Sequence, residues 1–305
     1  MSHLQGRYIN LSTSTDRRRK TEESLKSLGI HDYYSRYEAI QGNNDDAKRI
    51  GLSAGELGLW LSWLDLLQEE IKNENNYEYL HIIEDDVIIS QAFAKLIRNH
   101  IQINTNFDIL MTDMYVNPSI YLGIKEEYKS KAKQGTIEIK KDFYSGCTAS
   151  CIIKRENLEK VRNKLLAKFK CGKRTIPIDN TLHSLRTDKE LLISTTIPFL
   201  TGIRLEDITD STIQKSDQAK EVMISRNVCN LLRRELSLIK SPANKDELMF
   251  SYINQLKSMN EPQKESRPIA DDDMTDLLTR FAHNKGLLKY EYRKGLIGEP
   301  GNKQK

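Results

Sequence analysis

The chain has no stretch approaching the roughly 20 apolar residues that a membrane-spanning helix needs. Its amino terminus, Met1 to Arg7, lacks the apolar centre of a signal peptide and runs straight into a strand-like segment. Both absences predict a cytoplasmic protein and leave open a peripheral contact with the inner membrane. Cysteine is scarce: Cys147, Cys151, Cys171 and Cys229 include no C-x-x-C pair and no second pair at zinc spacing. That argues against a zinc ribbon and for buried, reduced thiols, with Cys147 and Cys151 expected on one face of a strand. Neither the glycine pattern of a dinucleotide-binding turn nor that of a phosphate-binding loop occurs, and there is no internal repeat or heptad run. Charge of one sign is also lacking. A net charge of +4 spread over 305 residues gives no footprint for nucleic acid.

What is present is one short stretch around which the rest is organised, Tyr79 to Ile89. Leu80, Ile82 and Ile83 read as a strand buried on both faces, interrupted by Glu84-Asp85-Asp86 before Val87, Ile88 and Ile89. Three adjacent carboxylates cannot be buried unpaired. They are therefore expected where the strand leaves the sheet at its carboxyl end, the place where open α/β sheets put their ligands. Oxygen donors clustered there suit a hard divalent cation that bridges to phosphate, against the plainer alternative of a solvated acidic turn.

Around this stretch the pattern alternates strands and helices. Arg7 to Leu11 reads as a first strand, followed by a basic helix that starts near Thr15 or Asp16 and ends at Gly29. Such a strand–helix junction, with Arg17, Arg18 and Arg19 beside it, is fit for an anion. Tyr33 to Ile40 is a second strand. Ser53 with Glu56 forms a capping-box pattern opening a helix that runs to Ile71, which gives Glu56 a structural role of its own. The early Gly55 and Gly58 predict close backbone approach to a ligand or strand. A helix from Phe93 to Ile103 and a strand from Phe107 to Met111 follow. The region from Asn117 to Gly135 reads as a variable excursion or lid, Ile137 to Ile139 as an edge strand, and Phe143 to Ile153 as one long strand. Lys154 to Lys170 is a basic amphipathic helix with Leu158, Val161, Leu165 and Phe169 on one face. Pro177-Ile178-Asp179-Asn180 opens a helix with His183 one turn beyond Asp179, and Leu191 to Thr196 is a strand. After Gln214 the pattern is helical only. The predicted division is residues 1–214 as a catalytic domain and residues 215–305 as a helical region, with a linker at 261–268, a helix from Asp276 to Leu288 and a disordered tail.

Taken in order, these segments resemble glycosyltransferase family 25, which includes bacterial lipooligosaccharide galactosyl- and glucosyltransferases. The stretches that carry the resemblance are Ile9-Asn10-Leu11 with Asp16-Arg17-Arg18, Arg36 to Gly42, Leu52 to Ser62, Glu84-Asp85-Asp86, Gly146 to Arg155, Pro177-Ile178-Asp179 and Asp210 to Ile213. Two positions depart from the pattern: Trp63 stands where the family usually has a histidine, and Gln41 where it commonly has an aspartate. The resemblance implies a GT-A fold, a mixed sheet flanked by helices, extended here by the C-terminal helices. It implies a UDP-galactose or UDP-glucose donor, a divalent metal (typically manganese, with magnesium as the other candidate), and transfer with inversion. The acceptor it implies is a lipooligosaccharide or lipopolysaccharide glycan. A capsular glycan, a glycoprotein, and a non-catalytic nucleotide- or glycan-binding module stay open, as does self-association through the C-terminal helices. Position by position, Asp86 looks like the metal ligand, assisted by Asp85 or Glu84, and His183 is a further candidate ligand. Asn10, Leu11 and Arg17 look like nucleotide-side contacts, and Gly55 and Glu56 like part of the donor cradle. An inverting transfer needs a base on the far face of the sugar. Asp179 is the candidate, with Asp113 and Asp207 as alternatives.

Overall fold

The computed structural model describes residues 3–170, 175–205, 220–240 and 243–260. Seven strands form one mixed sheet: β1 (Leu4–Asn10), β2 (Tyr34–Glu38), β3 (Tyr79–Glu84), β5 (Ile109–Met111), β6 (Glu138–Lys140), β7 (Ser150–Lys154) and β8 (Ile193–Ile197), in the order β2-β1-β3-β7-β5-β8-β6. β1 runs parallel to β2 and β3, and β5 parallel to β8. β7 lies antiparallel between β3 and β5, and β6 antiparallel at the edge. The carboxyl ends of β1, β3, β5 and β8 therefore share one border of the sheet. The Val87 to Ile89 segment leaves that sheet. As β4 (Val87–Ile89) it pairs with β9 (Thr201–Ile203) in a separate two-stranded ladder.

Alternation along β3 explains the layers. Leu80 and Ile82 face one apolar cluster, while Tyr79 and Ile83 face another. The first cluster is closed by α3 (Ala54–Lys72), α6 (Leu158–Lys170) and α7 (Ile178–Thr187), the second by α1 (Thr15–Ser27) and α4 (Gln91–Arg98). The polar residue between them on β3, His81, is fully buried, its ring nitrogens 2.6 Å from Tyr34 Oη and 2.9 Å from Ser150 Oγ. The first turn of α3 is held by the expected capping box. Its close backbone neighbour is the 40–42 segment: a Cβ on Gly58 would lie 2.6 Å from the Ile40 carbonyl oxygen, and one on Gly42 only 2.0 Å from that of Ala54. Trp63 is completely buried in the first cluster, consistent with a packing role.

Two expectations need correction. The Asn117 to Gly135 region is a regular helix, α5 (Pro118–Gln134), capped by the Asn117 side chain and burying Ile120, Tyr121 and Ile124; its proline stands at the first turn, where the missing N–H costs nothing. The long strand expected from Phe143 starts only at Ser150, because Gly146 and Cys147 take positive φ angles of 141° and 79° and turn the chain. Cys147 therefore sits in a loop, off the strand that carries Cys151. The described helices beyond 214 pack on the same body. α8 (Lys220–Glu235) inserts Ile224, Val228, Leu231 and Leu232 into the first cluster, joined there by Met249 and Ile253 of α9 (Lys245–Asn260). Cys171, Asp207, Asp210 to Ile213, the expected linker, the Asp276 to Leu288 helix and the tail lie outside the described residues. Among the described residues, no helix is long and apolar enough to cross a membrane.

Candidate active site

A cleft of about 450 Å³ opens at the border where the parallel strands end. Glu84 and Asp86 line it from the end of β3, the 145–149 loop forms its floor, Glu56 and Asp179 stand at the openings of α3 and α7, and Arg226, Asn230 and Arg233 project from α8. The turn Asp85-Asp86 that ends β3 splits the acidic triplet. Glu84 and Asp86 face the cleft, whereas Asp85 turns the other way.

Asp85 is fully engaged there. Its Oδ2 accepts from Asn10 Nδ2 at 2.7 Å and its Oδ1 from Arg17 at 3.1 Å. Its backbone carbonyl accepts from Thr21 Oγ1 at 2.9 Å and from Arg204 at 3.2 Å, while the Arg204 N–H donates to the Asp86 carbonyl at 2.7 Å. The turn carrying the acids is thus clamped from behind. Asn10 also donates to the Ser14 carbonyl and accepts from Arg36 Nε, both at 3.0 Å. Asp85, Asn10 and Arg17 hold the turn in place, and both Asp85 carboxylate oxygens are committed to it and turned away from the cleft. Asn10, Leu11, Arg17 and Gly55 are not among the residues lining the cleft; Glu56 is. Nor does His183 line it, because one helical turn beyond Asp179 carries it along α7 away from the opening.

The two acids in the cleft are only partly compensated: Arg233 favours both charges, and Arg17 and Arg204 favour that of Asp86, yet burial prevails. Burial and the Asp86 charge push the Glu84 carboxyl up to about 8, although Thr148 Oγ1 donates to it at 3.1 Å. Burial and the Asp85 charge raise Asp86 as well, and its Oδ1 is buried without a hydrogen-bond partner. Asp113, just past β5, is bound by both arms of Arg233, one contact being Nη2 to Oδ2 at 2.5 Å. Burial opposes the Asp113 charge while the guanidinium favours it. The twofold contact and the firmly protonated Arg233 favour the ion pair. This engagement removes Asp113 as a base. Asp179 is different: burial raises its carboxyl, opposed by backbone N–H groups that include Asn180, which donates to Oδ1 at 2.8 Å, and Cys147. A Cβ on Gly146 would lie 4.0 Å from Asp179 Oδ2, so the floor loop and the α7 opening meet here. Burial pushes the Cys147 thiol up to about 12, which makes it no nucleophile.

Among the described residues no three His, Cys, Asp or Glu side chains converge as a closed metal cage. Two adjacent carboxylates with an unpartnered oxygen nevertheless fit a magnesium- or manganese-type ion, which is bound by one or two carboxylates and completes its shell with water and substrate phosphates.

A mixed α/β sheet with an acid-lined cleft over its strand ends is the body of an enzyme. The family model described as glycosyltransferase family 25 (LPS biosynthesis protein) matches residues 6–161, just over half of the chain, and the chain belongs to that family. Its chemistry is glycosyl transfer. No curated protein matches it. Among solved structures, that of a glycosyltransferase involved in the glycosylation of the major capsid of PBCV-1 matches at 13% identity over 55% of this chain and 67% of that one. Its TM-score is 0.34, a likeness too slight to bear on the site.

Sequence reasoning did not single out Arg226, Asn230 and Arg233. The available signal was their spacing: at i, i+4 and i+7 they share one face of a helix whose opposite face is apolar.

Proposed function

We propose that the protein transfers a hexose, galactose or glucose, from a UDP-sugar to a hydroxyl of a lipooligosaccharide or lipopolysaccharide glycan, with inversion at the anomeric carbon. The observation that carries this reading is the pair Glu84 and Asp86 in the cleft, only partly compensated and with one Asp86 oxygen unpartnered. Those two side chains would hold the divalent ion. When bound, it supplies positive charge to the departing diphosphate. Arg204 and Thr21 fix the turn that presents the two acids, and Asp85 is tied off against Asn10 and Arg17, so the acids meet the donor already oriented.

Asp179 serves as the base. Burial raises its proton affinity, and its second oxygen, on the Gly146 side, accepts the proton of the acceptor hydroxyl as that oxygen attacks the sugar. Glu56, whose charge also raises Asp179, keeps its capping contact with the Ser53 N–H at 2.7 Å and lines the same wall.

The test is Asp86→Ala assayed for UDP release from UDP-galactose and UDP-glucose with manganese present. Turnover is expected to fall at least about 100-fold with the melting temperature unchanged or raised. Wild-type turnover in this variant would refute the assignment of the acids.

A further inference from the structure

α8 lies beyond the family-matched residues, yet it forms a wall of the cleft. Its two faces are chemically distinct. Ile224, Val228, Leu231 and Leu232 pack into the core, whereas Arg226, Asn230 and Arg233 face the acids. Arg233 is committed to Asp113. Asn230 is only 6% exposed and lines the cleft, so its carboxamide is presented to whatever occupies that space. Arg226 stands one turn before it, its guanidinium lowered by burial. A cation and an amide donor one helical turn apart, opposite two carboxylates that would repel an anion, make a grip for phosphate oxygens.

We propose that Arg226 and Asn230 bind the diphosphate of the donor, so that α8 is part of the donor site. This rests on the nucleotide-sugar reading above. On this view the diphosphate lies between two layers of charge, the Glu84 and Asp86 side on one flank and α8 on the other. The leaving group is held from both sides as its charge grows.

The test is calorimetric titration of the full chain with UDP and with uridine, manganese present, for wild type, Arg226→Gln and Asn230→Leu. Both variants are expected to bind UDP about tenfold more weakly or worse and uridine unchanged. Asn230→Leu nearly preserves side-chain volume on a residue that lines the cleft, so its melting temperature should hold. Equal weakening toward uridine, or a raised acceptor KM with UDP affinity unchanged, would overturn the proposal. So would a lowered melting temperature for Asn230→Leu, which would mark a structural residue. Wild type binding no UDP at all brings down the nucleotide-sugar reading and this inference with it. Wild type binding UDP with both variants unaffected brings down this inference alone.

Discussion

The position of α8 over the cleft depends on one buried ion pair, and breaking it has a calculable effect. The Arg233 and Asp113 side chains are 5% and 0% exposed, and both guanidinium arms engage the carboxylate. Arg233→Met leaves Asp113 buried without its counter-charge, a change that costs about 3–5 kcal/mol. For a chain of this size each kcal/mol moves the melting temperature by about 2–4 °C, so a fall of about 6–20 °C is expected by calorimetry. Replacing both members, Arg233→Met with Asp113→Leu, should restore most of the loss, because a well-packed apolar pair is no worse than a buried ionic one. The comparison is Arg19→Ala, which removes the exposed pairs to Asp16 and Glu23 on α1 and should leave the melting temperature where it was. If Arg233→Met melts like Arg19→Ala, the pair is not buried between α8 and the end of β5. The wall that carries Arg226 and Asn230 is then not anchored by this pair.

Acid stability should follow His81. Burial pushes its pKa down to about 3 from an ordinary value near 6.5, so the unfolded chain binds a proton that the folded one refuses across that window. Stability is fully present above about pH 6.5 and falls as pH drops, with a slope of up to about 1.4 kcal/mol per pH unit from this group. Urea unfolding from pH 7 to 4 should show this limb flattened in His81→Gln, and an identical slope in both proteins would count against the histidine as its origin. Packing at the α3 opening gives a second expectation. The Cβ of Gly42→Ala would meet the Ala54 carbonyl oxygen at 2.0 Å, backbone against backbone, and overpacking of this kind costs about 1–3 kcal/mol or more. Gly123→Ala, on α5 with nothing within 4 Å of the new methyl, should instead be neutral or stabilising by up to about 1 kcal/mol. Equal melting temperatures for the two variants would contradict the close approach of α3 to the 40–42 segment.

Much of the frame was legible because it is local. Apolar runs of strand length placed β1, β2, β3, β5 and β8, and the Ser53–Glu56 pattern placed the start of α3 to the residue. The acids were rightly expected at the end of β3, since burying them unpaired is prohibitive. Treating them as one cluster overlooked the turn in which they stand. At the end of β3 Glu84 and Asp86 reach the cleft, while Asp85 goes to the other side, where Asn10 and Arg17 receive it. The floor of the cleft was hidden for a different reason. Cys147 takes a positive φ that no residue type demands, and the apolar run through it reads as uninterrupted strand. α8 was hidden for a third reason. Its stripe of Arg226, Asn230 and Arg233 has the same periodicity as any solvated helix face, and sequence spacing cannot distinguish a face turned to water from one turned to a cleft. The distinction arises from the opposite face. Ile224, Val228, Leu231 and Leu232 are drawn into the core beside α5 and α9, and that docking carries the polar stripe over the carboxylates at the sheet's end. The apolar half of α8 thus determines what its polar half can bind, and a substitution in either half should register at the cleft.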